Sequence, residues 1–187
     1  VCGWDPAFLA GVEMPARNPQ SVPRHSTTQA DGGSRTQSRM ETPYGDLTCI
    51  TEQKQTSHTV KNWIETEEDL KRMAWVTRQQ ADYDGDVAIR QGQEMVKAIG
   101  DKGILGTWFG APIGNNLNHD MMFYHMSDWP GAFQELHEAT RASAFKHLET
   151  LRKAGFDYLF YCVDGTEWIS PDFFREWIQD DTREIFK

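Results

Sequence analysis

No stretch of about 18 consecutive apolar residues occurs in the 187 positions, so no helix of this chain is expected to span a bilayer. The start lacks the basic, apolar and small-residue order of a secretory signal. Basic residues are scarce. Nineteen Lys and Arg against 28 Asp and Glu leave a formal charge of −9, which disfavours nucleic acid as the main partner, because phosphate binding needs a basic face. The imbalance lies late in the chain: six basic against seven acidic residues up to position 65, thirteen against twenty-one after it. Cysteine is limited to Cys2, Cys49 and Cys162, odd in number and far apart. They form neither a disulfide framework nor a CxxC metal pair, and a reducing, cytoplasmic setting is expected. An initiator Met is missing, and Thr182 to Lys187 reads as mid-helix with no Gly or Pro stop. The chain is therefore expected to be a fragment of a longer protein.

What remains is 39% apolar and 25% charged, a globular composition long enough for one core. Residues 1–40, punctuated by Pro15, Pro19, Pro23, Gly32 and Gly33, read as an irregular N-terminal segment or as ordered strand pieces. Thr42-Pro43-Tyr44-Gly45 is a turn signal, and residues 41–64 read as a β-hairpin. Thr66 is a natural N-cap, with Glu67, Glu68 and Asp69 at the positive end of the helix dipole. A second helix is predicted from Asp86 to Ile99, stopped by Gly100.

Residues 103–109 form an almost uniformly apolar run, which predicts a strand buried on both faces. A helix is predicted over Asn115 to Met126. Ser127 or Asp128 then caps a longer one, with Pro130 in its first turn and Gly155 as its stop. Residues 156–163 predict a second buried strand, and Ser170-Pro171 starts a last helix through Ile185. Two apolar strands joined through a long helix make a βαβ unit with parallel strands. The class is α/β, from a barrel or a doubly wound sheet. In both, ligands sit at the carboxyl ends of the strands. That singles out residues 108–116 and 164–170.

Asp164 follows the second strand directly, with Glu167 near, and is a candidate acid, base or substrate-binding group. It reads also, and more simply, as a loop carboxylate capping nearby backbone amides. Trp108, Phe109, Asn115 and Asn116 flank the end of the other strand. Aromatic walls with amides suit a pocket for a flat organic ligand, while core packing and turn chemistry explain the same residues. Of six histidines, His119 and His125 stand six apart, and His137 and His147 ten apart. Neither spacing places two imidazoles on one helix face, so no metal site is expected within this segment. Asp82-Tyr83-Asp84-Gly85-Asp86 opens like a calcium loop but has Val87 sixth and Gln93 twelfth, and reads as a turn. There is no GxGxxG, no phosphate-binding Gly-Lys loop and no GxSxG elbow. Cys162 lies in an apolar strand without an adjacent base and reads as structural.

The order of several motifs resembles the uroporphyrinogen decarboxylase superfamily. They are Thr42-Pro43-Tyr44-Gly45-Asp46-Leu47, then Ile64 to Leu70, then Phe109-Gly110-Ala111-Pro112, then Ala154 to Asp157, then Asp164, then Ile169-Ser170-Pro171-Asp172-Phe173-Phe174. The resemblance covers residues 41–187. It implies a partial (β/α)8 TIM barrel, since such barrels need about 250 residues. It also implies one of two chemistries. One is cofactor-free decarboxylation of uroporphyrinogen side chains by a lyase of porphyrin metabolism. The other is methyl transfer from a corrinoid protein to a thiol, aided by zinc.

The family's decarboxylases follow Gly-Ala-Pro with Trp-Thr and a substrate-contacting Tyr. Here Ile113-Gly114 follow, and Asn118 stands at the Tyr place. Asp164 stands where a serine meets a substrate carboxylate, and an ionised aspartate there repels one. The arginine-rich start has no counterpart in residues 1–40, and no residue aligns with the catalytic Asp. These departures point to the methyltransferase-like branch and away from uroporphyrinogen itself. The expected substrate-binding set is Trp108, Asn115 and Glu167 from the strand ends, with Asn118 and Asp164 also at places the resemblance marks, and zinc ligands, if any, downstream. The expected partners are a small-molecule substrate and a corrinoid protein, and a homodimer is allowed for. The competing expectation is a non-catalytic small-molecule binder on the same scaffold. A third is an unrelated α/β enzyme using Asp164 and Glu167 as an acid–base pair.

Overall fold

Thr66 shows how local chemistry starts an element here. Its side chain accepts from Asp69 N–H, and the Asp69 carboxylate accepts from Thr66 N–H in return, closing a capping box. The computed structural model of the chain describes residues 7–30, 32–113, 119–163 and 169–187. The described strands are β1 (Ala7–Leu9), β2 (Arg24–Ala30), β3 (Gly33–Met40), β4 (Leu47–Gln53), β5 (Ser57–Lys61), β6 (Ile104–Gly110) and β7 (Tyr158–Cys162). The helices are α1 (Glu67–Gln80), α2 (Gly85–Ile99), α3 (His119–Asp128), α4 (Pro130–Ala154), α5 (Pro171–Trp177) and α6 (Gln179–Ile185). None of them is long and apolar enough to cross a membrane.

The chain divides into two units. One comprises residues 1–15, 83–115 and 141–187. It holds a parallel sheet in the order β1-β6-β7, with Ala7 opposite Ile104 and Gly106 opposite Tyr158. Its core gathers Phe109, Leu148, Leu151 and Ile185, flanked by Phe145, Phe156, Leu159 and Tyr161. Helix α2 lies tight against the end of α4: a Cβ on Gly92 would stand 2.6 Å from that of Ala154. Asp181 of α6 is buried and takes an ion pair from Arg141 of α4.

The other unit comprises residues 16–82 and 116–140. Its antiparallel sheet runs β2-β3-β4-β5 in chain order. Met40 and Leu47, at the inner ends of β3 and β4, join Ile64, Leu70, Met73, Val76 and Leu136 in its core. Trp63, Trp75 and Trp129 close over them.

These sheets overturn the expected partial (β/α)8 barrel. The described residues carry three parallel strands and, separately, four antiparallel ones. A βαβ signal reports that two strands run parallel. It does not report how many others join them, and here most strands belong to hairpin ladders instead. Of the two expectations for residues 1–40, irregular or ordered strand pieces, the second holds for Arg24–Ala30 and Gly33–Met40, which form β2 and β3. The signal was Asp31-Gly32, a dipeptide that favours a tight hairpin, and Gly32 has φ +79°.

The strands read as buried on both faces are not. Leu105, Thr107 and Phe109 are buried, whereas Ile104 and Trp108 are exposed, and β7 is only half-buried. Ser127 and Asp128 end α3, and Pro130 follows Trp129 as the first residue of α4. The last predicted helix is broken into α5 and α6 at the buried Ile178. The Ser170 cap and the Gly100 and Gly155 stops stand where the sequence places them.

Two histidines make stability depend on pH. His125 is buried in one unit and stacks on Trp129 at 5.0 Å, and its Nε2 has no partner among the described residues. Burial pushes its imidazole below the usual histidine range, against the opposing pull of Asp128 and the Ile64 backbone. Burial alone does the same to His147, beside Phe109 in the other unit. The unfolded chain takes up these protons near pH ~6.5, before the folded one does. Their contribution to stability is therefore complete above that pH and falls as the pH drops below it. Urea midpoints should decline between about pH 7 and pH 5.5, and His125→Gln with His147→Gln should flatten that decline.

Candidate functional site

Asp157 fixes how β7 meets β6. Its N–H donates to the Leu105 carbonyl at 2.7 Å, and its Oδ2 accepts the Leu105 N–H at 2.8 Å. From that clamp the strands run in parallel register to Gly110 opposite Cys162, and Ala111 N–H adds a bond to the Cys162 carbonyl at 2.9 Å. Side chains alternate across a strand, and directly opposed residues share a face. Leu105, Thr107 and Phe109 therefore lie on one face with Leu159 and Tyr161, toward Leu148, Leu151 and Ile185. Ile104, Gly106, Trp108 and Gly110 lie on the other with Tyr158, Phe160 and Cys162.

Among the described residues that second face carries no charged side chain and is rich in aromatic rings. Trp108 is 59% exposed and Phe160 47%. Their ring centroids stand 4.2 Å apart at 52°. Ile104 and, on β1, Leu9 extend the apolar area toward the amino ends. Tyr158 lies across Gly106: a Cβ there would meet the phenol ring at 2.2 Å. Gly106 is thus a packing requirement for the ring beside the Trp108–Phe160 pair. Gly110 stands opposite Cys162, whose thiol is free and half-buried.

Of the five residues expected to bind substrate, Trp108 sits at this surface. It is exposed there, so core packing does not explain it. Asn115, Asn118, Asp164 and Glu167 lie outside the described residues. Phe160 was missed. It was read as part of a buried apolar run, and only its register against Trp108 makes it a surface residue. Among the described residues no three His, Cys, Asp or Glu side chains gather to hold one ion, so none is assigned to zinc.

Two cavities lie elsewhere. One of about 500 Å³ opens at the amino end of β7, among Leu148, Leu151, Arg152, Phe156, Asp157 and Ile185. Ligands in parallel sheets sit at the opposite, carboxyl end, so it is not taken as the site. The other, about 330 Å³, lies in the antiparallel unit between Tyr44 and Trp75. Its cations are already paired: Lys71 with Glu67, Arg72 with Asp69 and Arg78 with Glu135.

Replacing Gly106 with Ala should lower stability by about 1–3 kcal/mol through overpacking against Tyr158. The loss should shrink in a Tyr158→Ala background, and urea denaturation of the four-member cycle reads the coupling. No protein-family model matches this chain, and no curated protein matches it.

Proposed function

We propose that this chain is part of a cytoplasmic enzyme related in chemistry to the uroporphyrinogen decarboxylases, on the methyl-transferring side of that group. The observation that carries the reading is the exposed Trp108–Phe160 pair, with ring centroids 4.2 Å apart on adjacent parallel strands, two residues before the last residue of each. The chain continues from those strand ends into residues 114–118 and 164–168, which hold Asn115, Asn118, Asp164 and Glu167. A flat organic substrate lies against the two rings, where apolar contact and exclusion of water hold it. The polar residues after each strand orient it. Uroporphyrinogen is a poor candidate, because Asp164 and a net charge of −9 oppose a polycarboxylate. The methyl acceptor is a thiol, and the donor is a corrinoid protein. Zinc, where such an enzyme binds it, keeps the acceptor sulfur as a thiolate.

The second reading is a small-molecule binder without turnover. It is favoured by the described part of the aromatic face, whose only ionisable groups are Tyr158 and Cys162.

The test supplies the chain, with its flanking coding sequence, with methylcobalamin, a small thiol and zinc. Methyl transfer should be seen by the corrinoid absorbance change, and should fall about tenfold or more in Trp108→Ala. No CO2 should be released from uroporphyrinogen. Calorimetric binding of methylcobalamin that needs Trp108 but gives no turnover would establish the binder. Neither binding nor turnover would sink both readings.

A further inference from the structure

The two edges of the antiparallel sheet are built differently. An edge strand offers unpaired N–H and C=O groups to any second strand, and proteins blunt such edges with bulges, Lys, Pro or short length. Strand β5 is blunted: it has five residues, it ends on Lys61, and its register with β4 shifts between Ile50 and Thr51. Strand β2 is not. It has seven residues in unbroken register with β3, and Arg24–Gln29 are exposed. It contains no Pro, no Lys and no acidic residue.

A row of threonines crosses the sheet and stops at that open edge. Thr59 lies opposite Thr51, Thr51 opposite Thr36, and Thr36 opposite Thr27. The last pair is in contact, with Oγ1 atoms 3.0 Å apart. Thr27 is the middle residue of β2.

We propose that β2 pairs antiparallel with β2 of a second copy of this chain, about a twofold axis at Thr27. In that register Thr27 faces its own copy, and the row continues across eight strands. His25 faces Gln29, Ser26 faces Thr28 and Arg24 faces Ala30. Cross-strand Thr and Ser pairs of this kind stabilise antiparallel sheets, and no like charges stand opposite each other. All seven residues are paired. The register also matches main-chain groups, because each outward-facing residue meets an outward-facing one. Moving the axis to Ser26 leaves five paired residues, and moving it to His25 leaves three and sets two histidines face to face. An unrelated extended peptide would satisfy the same main-chain groups. The self-matching side-chain row is what selects a second copy.

Seven paired residues make a small interface, so the dimer should be weak. Light scattering after size exclusion, over micromolar to about 1 mM protein, reads it. The 187-residue chain should shift from monomer to dimer over that range. Thr27→Lys sets two ammonium groups face to face and should raise the dissociation constant about tenfold or more. Thr59→Lys, at the far end of the same row, should leave it unchanged. Mixing Thr27→Lys with Thr27→Glu should restore dimers made of one copy of each. Circular dichroism checks that each variant keeps its fold. A chain that stays monomeric to about 1 mM overturns the proposal. So does a dimer that Thr27→Lys leaves intact, or one that the mixture fails to restore.

Discussion

Asp157 makes two bonds to one residue, Leu105, through its N–H and its carboxylate. That pair of contacts sets the register of β6 on β7, and the parallel unit depends on it. A slip of one residue would turn every side chain of β7 to the opposite face. Leu159 and Tyr161 would then leave the core formed by Leu148, Leu151 and Ile185, and Phe160 would no longer meet Trp108. The core and the aromatic surface are two outcomes of one alignment.

The antiparallel unit is held differently. Its sheet is anchored at one end only, where Met40 and Leu47 enter the core. Farther along β2 and β3 the side chains are Thr, Ser, Gln and Arg, and cross-strand hydrogen bonds such as His25 Nδ1 to Ser38 Oγ at 2.8 Å stand in for apolar burial. Strand pairing there rests on main-chain bonds and cross-strand polar pairs, and the packed end at Met40 and Leu47 supplies the apolar burial. Such a ribbon was hard to recognise in the sequence. Strands are usually read from alternation of apolar and polar residues, and a strand polar on both faces has none. The Asp31-Gly32 pair was the remaining signal.

The aromatic surface was half legible. Trp108 was identified because it lies next to last in an apolar run, at the carboxyl end where ligands sit in parallel sheets. Phe160 was not, because residues 156–163 are apolar at nearly every position and give no period to separate the faces. A run of that kind fits a strand covered on both sides. Among the described residues the helices pack against one face of the sheet, and Trp108 and Phe160 lie exposed on the other.

Local chemistry by itself determined where the elements begin and end. Thr66 with Asp69, Ser170 with Pro171, Gly100 and Gly155 act through hydrogen bonds and backbone angles within a few residues. The parallel sense of β6 and β7 followed too, because a helix of α4's length lies between them and returns the chain to the same end. The number of strands, the two separate sheets and the face each aromatic ring occupies were decided only in three dimensions. They depend on which distant strands pair: β1 reaches β6 across nearly a hundred residues, and no local pattern encodes that pairing.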